Sequence, residues 1–144
     1  MTPQEADKRV EFRYDDQGRR VRKTVLTWDD QEEEWGEDPA EDLLFLYDGW
    51  NVALVHDRIE NTLLRLYTWG LDLSGTIHGA GGIGGLLAVE EPQDEGESKK
   101  HWFCYDANGN VGQLLKYVAD PQSVTLAAHY EYDPYGERHR HRRR

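Results

Sequence analysis

The sequence predicts an all-β protein made of antiparallel hairpins, and three observations carry that expectation. No window longer than about 12 residues keeps apolar residues at i, i+3, i+4 and i+7, the spacing that gives a helix one buried face. Glycines, 14 of them, and turn-forming pairs interrupt the chain at short intervals. Aromatic residues make up 11% of the 144 residues. That is more than an acidic disordered chain carries, and it suits ring pairs across neighbouring strands. The length is that of one domain. An apolar fraction of only 38% predicts a thin fold with much exposed surface.

Residues 1–8 are expected to be a flexible N-terminus. The first hairpin runs from Arg9 to Tyr14, turns over Asp15, Asp16, Gln17 and Gly18, and returns from Arg19 to Trp28. Next comes an acidic loop over 29–42, where like charges resist burial and Gly36 and Pro39 interrupt any ladder. Strands at 43–48, 51–57 and 63–69 form a meander, the first two joined across Gly49 and Trp50. A glycine-rich bend, GAGGIGG, precedes a short apolar strand, and a charged loop over 90–100 is the expected site of mobility. Strands 101–106 and 110–118 flank Ala107, Asn108 and Gly109, where the Asn-Gly pair supplies the positive φ of a tight turn. A turn over Ala119–Gln122 leads into SVTLAAHYEYD, which ends in a second turn at Asp133, Pro134, Tyr135 and Gly136.

The net charge of -11 hides an asymmetry. Five of the 17 basic residues fall within Arg138–Arg144, leaving 12 against 28 acids, or -16, in residues 1–137. Nucleic-acid binding by this acidic body is disfavoured, because phosphate contacts need a basic face. The tail, 138–144, is expected to be disordered. Cys104 is the single cysteine, so no internal disulfide is expected. No signal-like apolar run opens the chain, and no stretch approaches the roughly 18 apolar residues of a membrane helix.

Tyr14-Asp15, Tyr47-Asp48, Tyr105-Asp106 and Tyr132-Asp133 each close an apolar strand and open a turn. The physical reading is a ring packed on the sheet with its hydroxyl in water, and an aspartate that accepts hydrogen bonds from the next backbone amides. The Tyr-to-Tyr steps are irregular, at 33, 58 and 27 residues, and counting Tyr67 as a degenerate repeat divides the 58 into 20 and 38. With YDDQGRRV, YDGWNVALVHD, YTWGLDLSG, AGGIGGLLAV, YDANGNV and YEYDPYGE, the chain resembles the core region of RHS, or YD-repeat, proteins over residues 9–137. The resemblance implies a curved, mostly antiparallel sheet of hairpins, here an open segment of an RHS-type shell. It also implies a secreted or cell-surface setting for full-length relatives, and a toxin or other polypeptide as cargo. Asp133-Pro134-Tyr135-Gly136 is similar to one half of the family's cleavage segment; the second such motif is missing, so autoproteolysis is not carried over.

No catalytic, cofactor-binding or metal-binding residue is expected. Gly79-Ala80-Gly81-Gly82-Ile83-Gly84 fits GxGxxG, but Pro92 interrupts the next segment before a helix can form. Asp106–Asn110 has oxygens at alternate positions, as a calcium loop does, with Val111 in place of the glycine and Tyr117 in place of the bidentate Glu. Glu32, Glu33 and Glu34 read as a solvated charge run. His56, His78, His101 and His129 fall on separate elements, while His139 and His141 sit in the tail. Ser74, Ser98 and Ser123 lack a nucleophile-elbow context. Trp35, Trp50, Trp69 and Trp102 suit cross-strand packing, or stacking on sugar rings. The expected role is a non-catalytic scaffold that encapsulates or displays a polypeptide, with open sheet edges that self-associate or accept further YD repeats. The alternatives are a surface carbohydrate-binding module and a degenerate fragment of a larger RHS protein.

Overall fold

A computed structural model of the protein describes residues 3, 4, 7–93, 98–119 and 121–133. The described residues form ten β-strands and no helix. They are β1 (Lys8–Tyr14), β2 (Arg20–Asp29), β3 (Glu34–Trp35), β4 (Glu41–Asp48), β5 (Asn51–Asp57), β6 (Thr62–Trp69), β7 (Leu86–Glu91), β8 (Lys99–Tyr105), β9 (Val111–Val118) and β10 (Ser123–His129). Neighbouring strands pair antiparallel. The chain divides into two units, Met1–Arg65 and Leu66–Arg144, with the boundary inside β6.

In the first unit the strand order is β1-β2-β4-β5. The long β2 shares one edge between two partners: β4 takes Arg22–Val25 and β3 takes Trp28 and Asp29. Val25 and Leu26 are neighbours in sequence, so they face opposite sides of the sheet, and both are buried. Val55 is the third and last buried apolar residue among those described. On the Val25 side the Arg20 guanidinium lies between the rings of Phe12 and Phe45, with centroid distances of 5.2 and 4.6 Å. On the other side Asp42 is buried, accepting two hydrogen bonds from Arg22 at 2.7 Å and one from Arg58 at 2.8 Å. The Arg22 contact holds the Asp42 carboxyl below its usual pKa, against the opposing effect of burial.

In the second unit the order is β6-β7-β8-β9-β10. Trp102 and Tyr117 pack across β8 and β9 with ring centroids 6.0 Å apart. The hairpin architecture is as the sequence predicts, and several details differ. The acidic loop of 29–42 is not wholly excluded from the sheet: Trp35 packs edge-on against Trp28 at 5.3 Å and carries β3 with it, while two arginines neutralise Asp42. The charged loop of 90–100 is shorter, because Glu90 faces Lys100 and Glu91 faces Lys99 in the β7–β8 ladder, and opposite charges across strands attract. Its centre, residues 94–97, lies outside the described residues, as do Asp120, the turn residues 134–136 and the basic tail 138–144. At the N-terminus the pairing starts before residue 9: Lys8 is in β1 and Trp28 N–H donates to the Asp7 carbonyl at 2.9 Å.

The tyrosines of the Tyr-Asp pairs depart most from expectation. Three of the four hydroxyls are not left to water. Tyr47 donates to the Arg20 carbonyl at 3.0 Å, Tyr105 to Leu86 at 2.7 Å and Tyr132 to Val111 at 3.0 Å. Arg20, Leu86 and Val111 are the first residues of β2, β7 and β9, and the register of each strand shifts by one residue just after them. Such a bulge turns a carbonyl out of its ladder, and the tyrosine satisfies it. The equivalent Tyr14 is 58% exposed, and its hydroxyl has no hydrogen bond among the described residues. In urea unfolding of the monomer, Tyr105→Phe is expected to lose about 1 kcal/mol, the net worth of one hydrogen bond, while Tyr14→Phe stays within about 0.3 kcal/mol of the unmodified chain.

Candidate functional site

Five aspartates end strands or open loops and organise the backbone just after them. Asp15 Oδ1 accepts from the amides of Gln17 and Arg19, Asp29 from Gln31 and Glu32, Asp57 from Ile59 and Glu60, and Asp106 from Asn108 and Asn110. These are Asx-turns, in which a short carboxylate mimics a backbone acceptor. Asp106 is held below the usual carboxylate range, first by the Asn110 side chain and then by backbone amides. The calcium-like spacing of Asp106–Asn110 is therefore occupied by hairpin geometry. Of the Asn108-Gly109 pair, only Gly109 takes positive φ, at 79°. One positive-φ residue closes a four-residue turn, where a two-residue turn of the Asn-Gly type needs two.

The fifth aspartate, Asp72, is buried in the loop between β6 and β7 and accounts for the GxGxxG match. Its carboxylate accepts from the Ser74 hydroxyl at 2.6 Å and from the amides of Ser74, Ala80 and Gly82 at 2.9, 2.6 and 3.2 Å. The Ser74 hydroxyl is the largest influence, and together these donors lower the Asp72 carboxyl to about 2 despite burial. The glycine-rich segment thus turns the Ala80 and Gly82 N–H groups on an internal carboxylate. Leu73 and Ile83 from this loop rest on the β8–β9 turn. A methyl added at Gly109 would lie 2.8 Å from Ile83 and 2.9 Å from Leu73.

The other candidate residues are not gathered into a catalytic group. Ser74 is engaged by Asp72, His78 is exposed in the same loop, and Ser123 starts β10. His56 lies on β5, His101 on β8, and His129 contacts Glu131 at 3.3 Å. No group of three or more His, Cys, Asp or Glu among the described residues is placed to hold a metal ion. His139 and His141 lie outside the described residues. Cys104 is half-buried in β8. Trp35 contacts Trp28 edge-on and the Arg9 guanidinium at 5.3 Å, Trp102 packs on Tyr117, and Trp69 ends β6. Trp50, at the β4–β5 turn, is 62% exposed.

The strands do present apolar surface. Among the described residues, sixteen large hydrophobic residues are exposed, against three that are buried. In the first unit Val10, Phe12 and Tyr14 project from one side of β1, and in the second Leu71, Leu73, Ile77, Ile83 and Leu87 cluster in and beside the Asp72 loop. Exposed apolar side chains on neighbouring positions offer contact area that water does not favour. Single-sequence reasoning does not find it, because exposure depends on whether a second layer covers each strand.

Two substitutions separate turn strain from loop packing. Gly18→Ala, at φ +78° with open space around it, is expected to cost about 1 kcal/mol. Gly109→Ala, at nearly the same φ but against Leu73 and Ile83, is expected to cost about 3 kcal/mol. Thermal or urea unfolding of the two variants measures the difference. The loop also has a defined acid response. A carboxyl lowered by folding stabilises the structure above its ordinary pKa near 4, and that contribution is lost as the pH falls through its folded value of about 2. Hydrogen exchange at the Ala80 and Gly82 amides, corrected for intrinsic rates, is expected to lose protection between about pH 4 and pH 2 and to be unchanged from about pH 5 to pH 7.

Compared with models of known protein families, with curated proteins and with solved structures, the chain matches none.

Proposed function

We propose that the chain is a non-catalytic β-scaffold, resembling part of an RHS shell, that encapsulates or displays a partner polypeptide against its apolar surface. The observation that carries this reading is the imbalance, among the described residues, between sixteen exposed and three buried large hydrophobic residues. Apolar side chains held on regular strands offer contact area at low entropic cost, since the backbone is already ordered. The polar side chains available for chemistry support the same reading: Asp15, Asp42, Asp72 and Asp106 each spend their oxygens on internal donors. The partner polypeptide, a toxin in the family that the chain resembles, is recognised here by apolar segments.

A permanently unfolded, reduced and alkylated test polypeptide provides the probe. Binding is expected, with slowed hydrogen exchange confined to strands that carry exposed apolar residues. Leu73→Ser with Ile83→Ser is expected to weaken binding about tenfold, in line with the apolar area removed. No binding by the folded chain would sink the scaffold reading. Trp50 favours a second reading, carbohydrate binding, because it is the most exposed tryptophan and sits at a hairpin tip. Glycan-array binding lost in Trp50→Ala, with the fold intact, would replace the first reading with the second.

A further inference from the structure

Three tyrosines of the Tyr-Asp pairs donate to the first carbonyl of a neighbouring strand, and Tyr14 occupies the same place on β1 without an acceptor among the described residues. β1 ends the strand order of the first unit, and all seven of its residues are exposed. Its backbone directions follow from two contacts. Asp15 N–H donates to Arg19 and the Asp7 carbonyl accepts from Trp28, so the odd-numbered residues turn their polar groups toward β2. Lys8, Val10, Phe12 and Tyr14 therefore turn theirs outward. β10 ends the order of the second unit. Tyr130 N–H donates to Gly112, and the register slips by one residue between Leu126 and Ala128, which leaves Val124 and Leu126 with outward backbone groups.

We infer that β10 of a second copy of this chain adds to β1 as an antiparallel strand, with Phe12 beside Val124 and Val10 beside Leu126. This alignment sets outward backbone groups opposite one another and puts four exposed apolar side chains on one face. Those side chains are 44 to 57% exposed in the single chain. Tyr14 then lies beside the start of the incoming strand, the place where its three equivalents find their acceptors. The charges disfavour the pairing of two β1 strands. β1 carries Lys8, Arg9 and Arg13 against Glu11, so two β1 strands repel each other. β10, SVTLAAH, has no Asp, Glu, Lys, Arg or Pro, the residues that usually protect an edge. Pairing one edge with a different edge leaves a free β1 and a free β10 at the ends, so assembly continues past two copies. The net charge of -11 per copy opposes association, which strengthens as salt screens it.

Sedimentation velocity of the full chain from low micromolar to millimolar concentration tests the inference. Species larger than a dimer are expected to grow with concentration and with salt. Phe12→Lys blocks β1 and Val124→Lys blocks β10; each variant alone is expected to stay monomeric, and an equimolar mixture to stop at one copy of each. A dimer of Phe12→Lys alone would assign the contact to two β10 strands, a dimer of Val124→Lys alone to two β1 strands, and either result overturns the inference. So does an unmodified chain that is monomeric throughout. If a lysine variant fails to fold by circular dichroism, hydrogen exchange on the unmodified chain decides: the Val10, Phe12, Val124 and Leu126 amides slow by at least about tenfold on concentration, or the inference fails. Binding of the unfolded polypeptide is measured on the monomeric variants, so the scaffold reading and this inference can fail separately.

Discussion

A sheet with little covering it must satisfy its own frayed ends, and in this chain the tyrosine hydroxyl does so. At β2, β7 and β9 the chain enters the new strand through a bulge, and the first carbonyl of that strand is turned out of its ladder. Tyr47, Tyr105 and Tyr132 each reach across and donate to that carbonyl. An unsatisfied buried carbonyl costs more than a typical hydrogen bond gains, so the tyrosine and the bulge depend on each other. The Tyr-Asp pair thereby has two separate duties. Tyr closes a ladder already formed, and in Tyr14-Asp15 and Tyr105-Asp106 the Asp begins the turn to the next strand.

Polar groups carry an unusual share of the organisation. Among the described residues, Val25, Leu26 and Val55 are the buried apolar ones, against the buried polar Asp42, Asn51 and Asp72. Asp42 joins Arg22 on β2 to Arg58 beyond β5, and Asp72 gathers the glycine-rich loop around one carboxylate. Arg20 contributes through its flat guanidinium, held between two phenylalanine rings. Carboxylates committed in this way are poor candidates for acid-base or metal chemistry, because their oxygens are already occupied.

The strand positions, the hairpin order and the Asx-turns at Asp15 and Asp106 are legible in the sequence because they are local: alternation, a short carboxylate and a glycine within a few residues fix them. Asp42 reads there as part of a repelling acidic run. Its burial depends on Arg22, 20 residues away, and Arg58, 16 residues away, which no local window contains. Trp35 likewise joins the sheet through Trp28. Glu33 and Asn61 adopt positive φ in turns with no glycine at that position, so neither announces itself by residue type.

By itself, the sequence determined most of the strands, the places of the hairpin turns and the repetition of Tyr-Asp, since each follows from side-chain chemistry acting on neighbouring backbone. Only the tertiary structure decided what that repetition is for. A tyrosine hydroxyl and the carbonyl it serves lie 19 to 27 residues apart, and their meeting depends on register and on a bulge in the strand that carries the carbonyl. The same holds for exposure. Whether Phe12 or Leu73 is core or surface is settled by the presence or absence of a covering layer, a property of the packed chain that no residue carries alone.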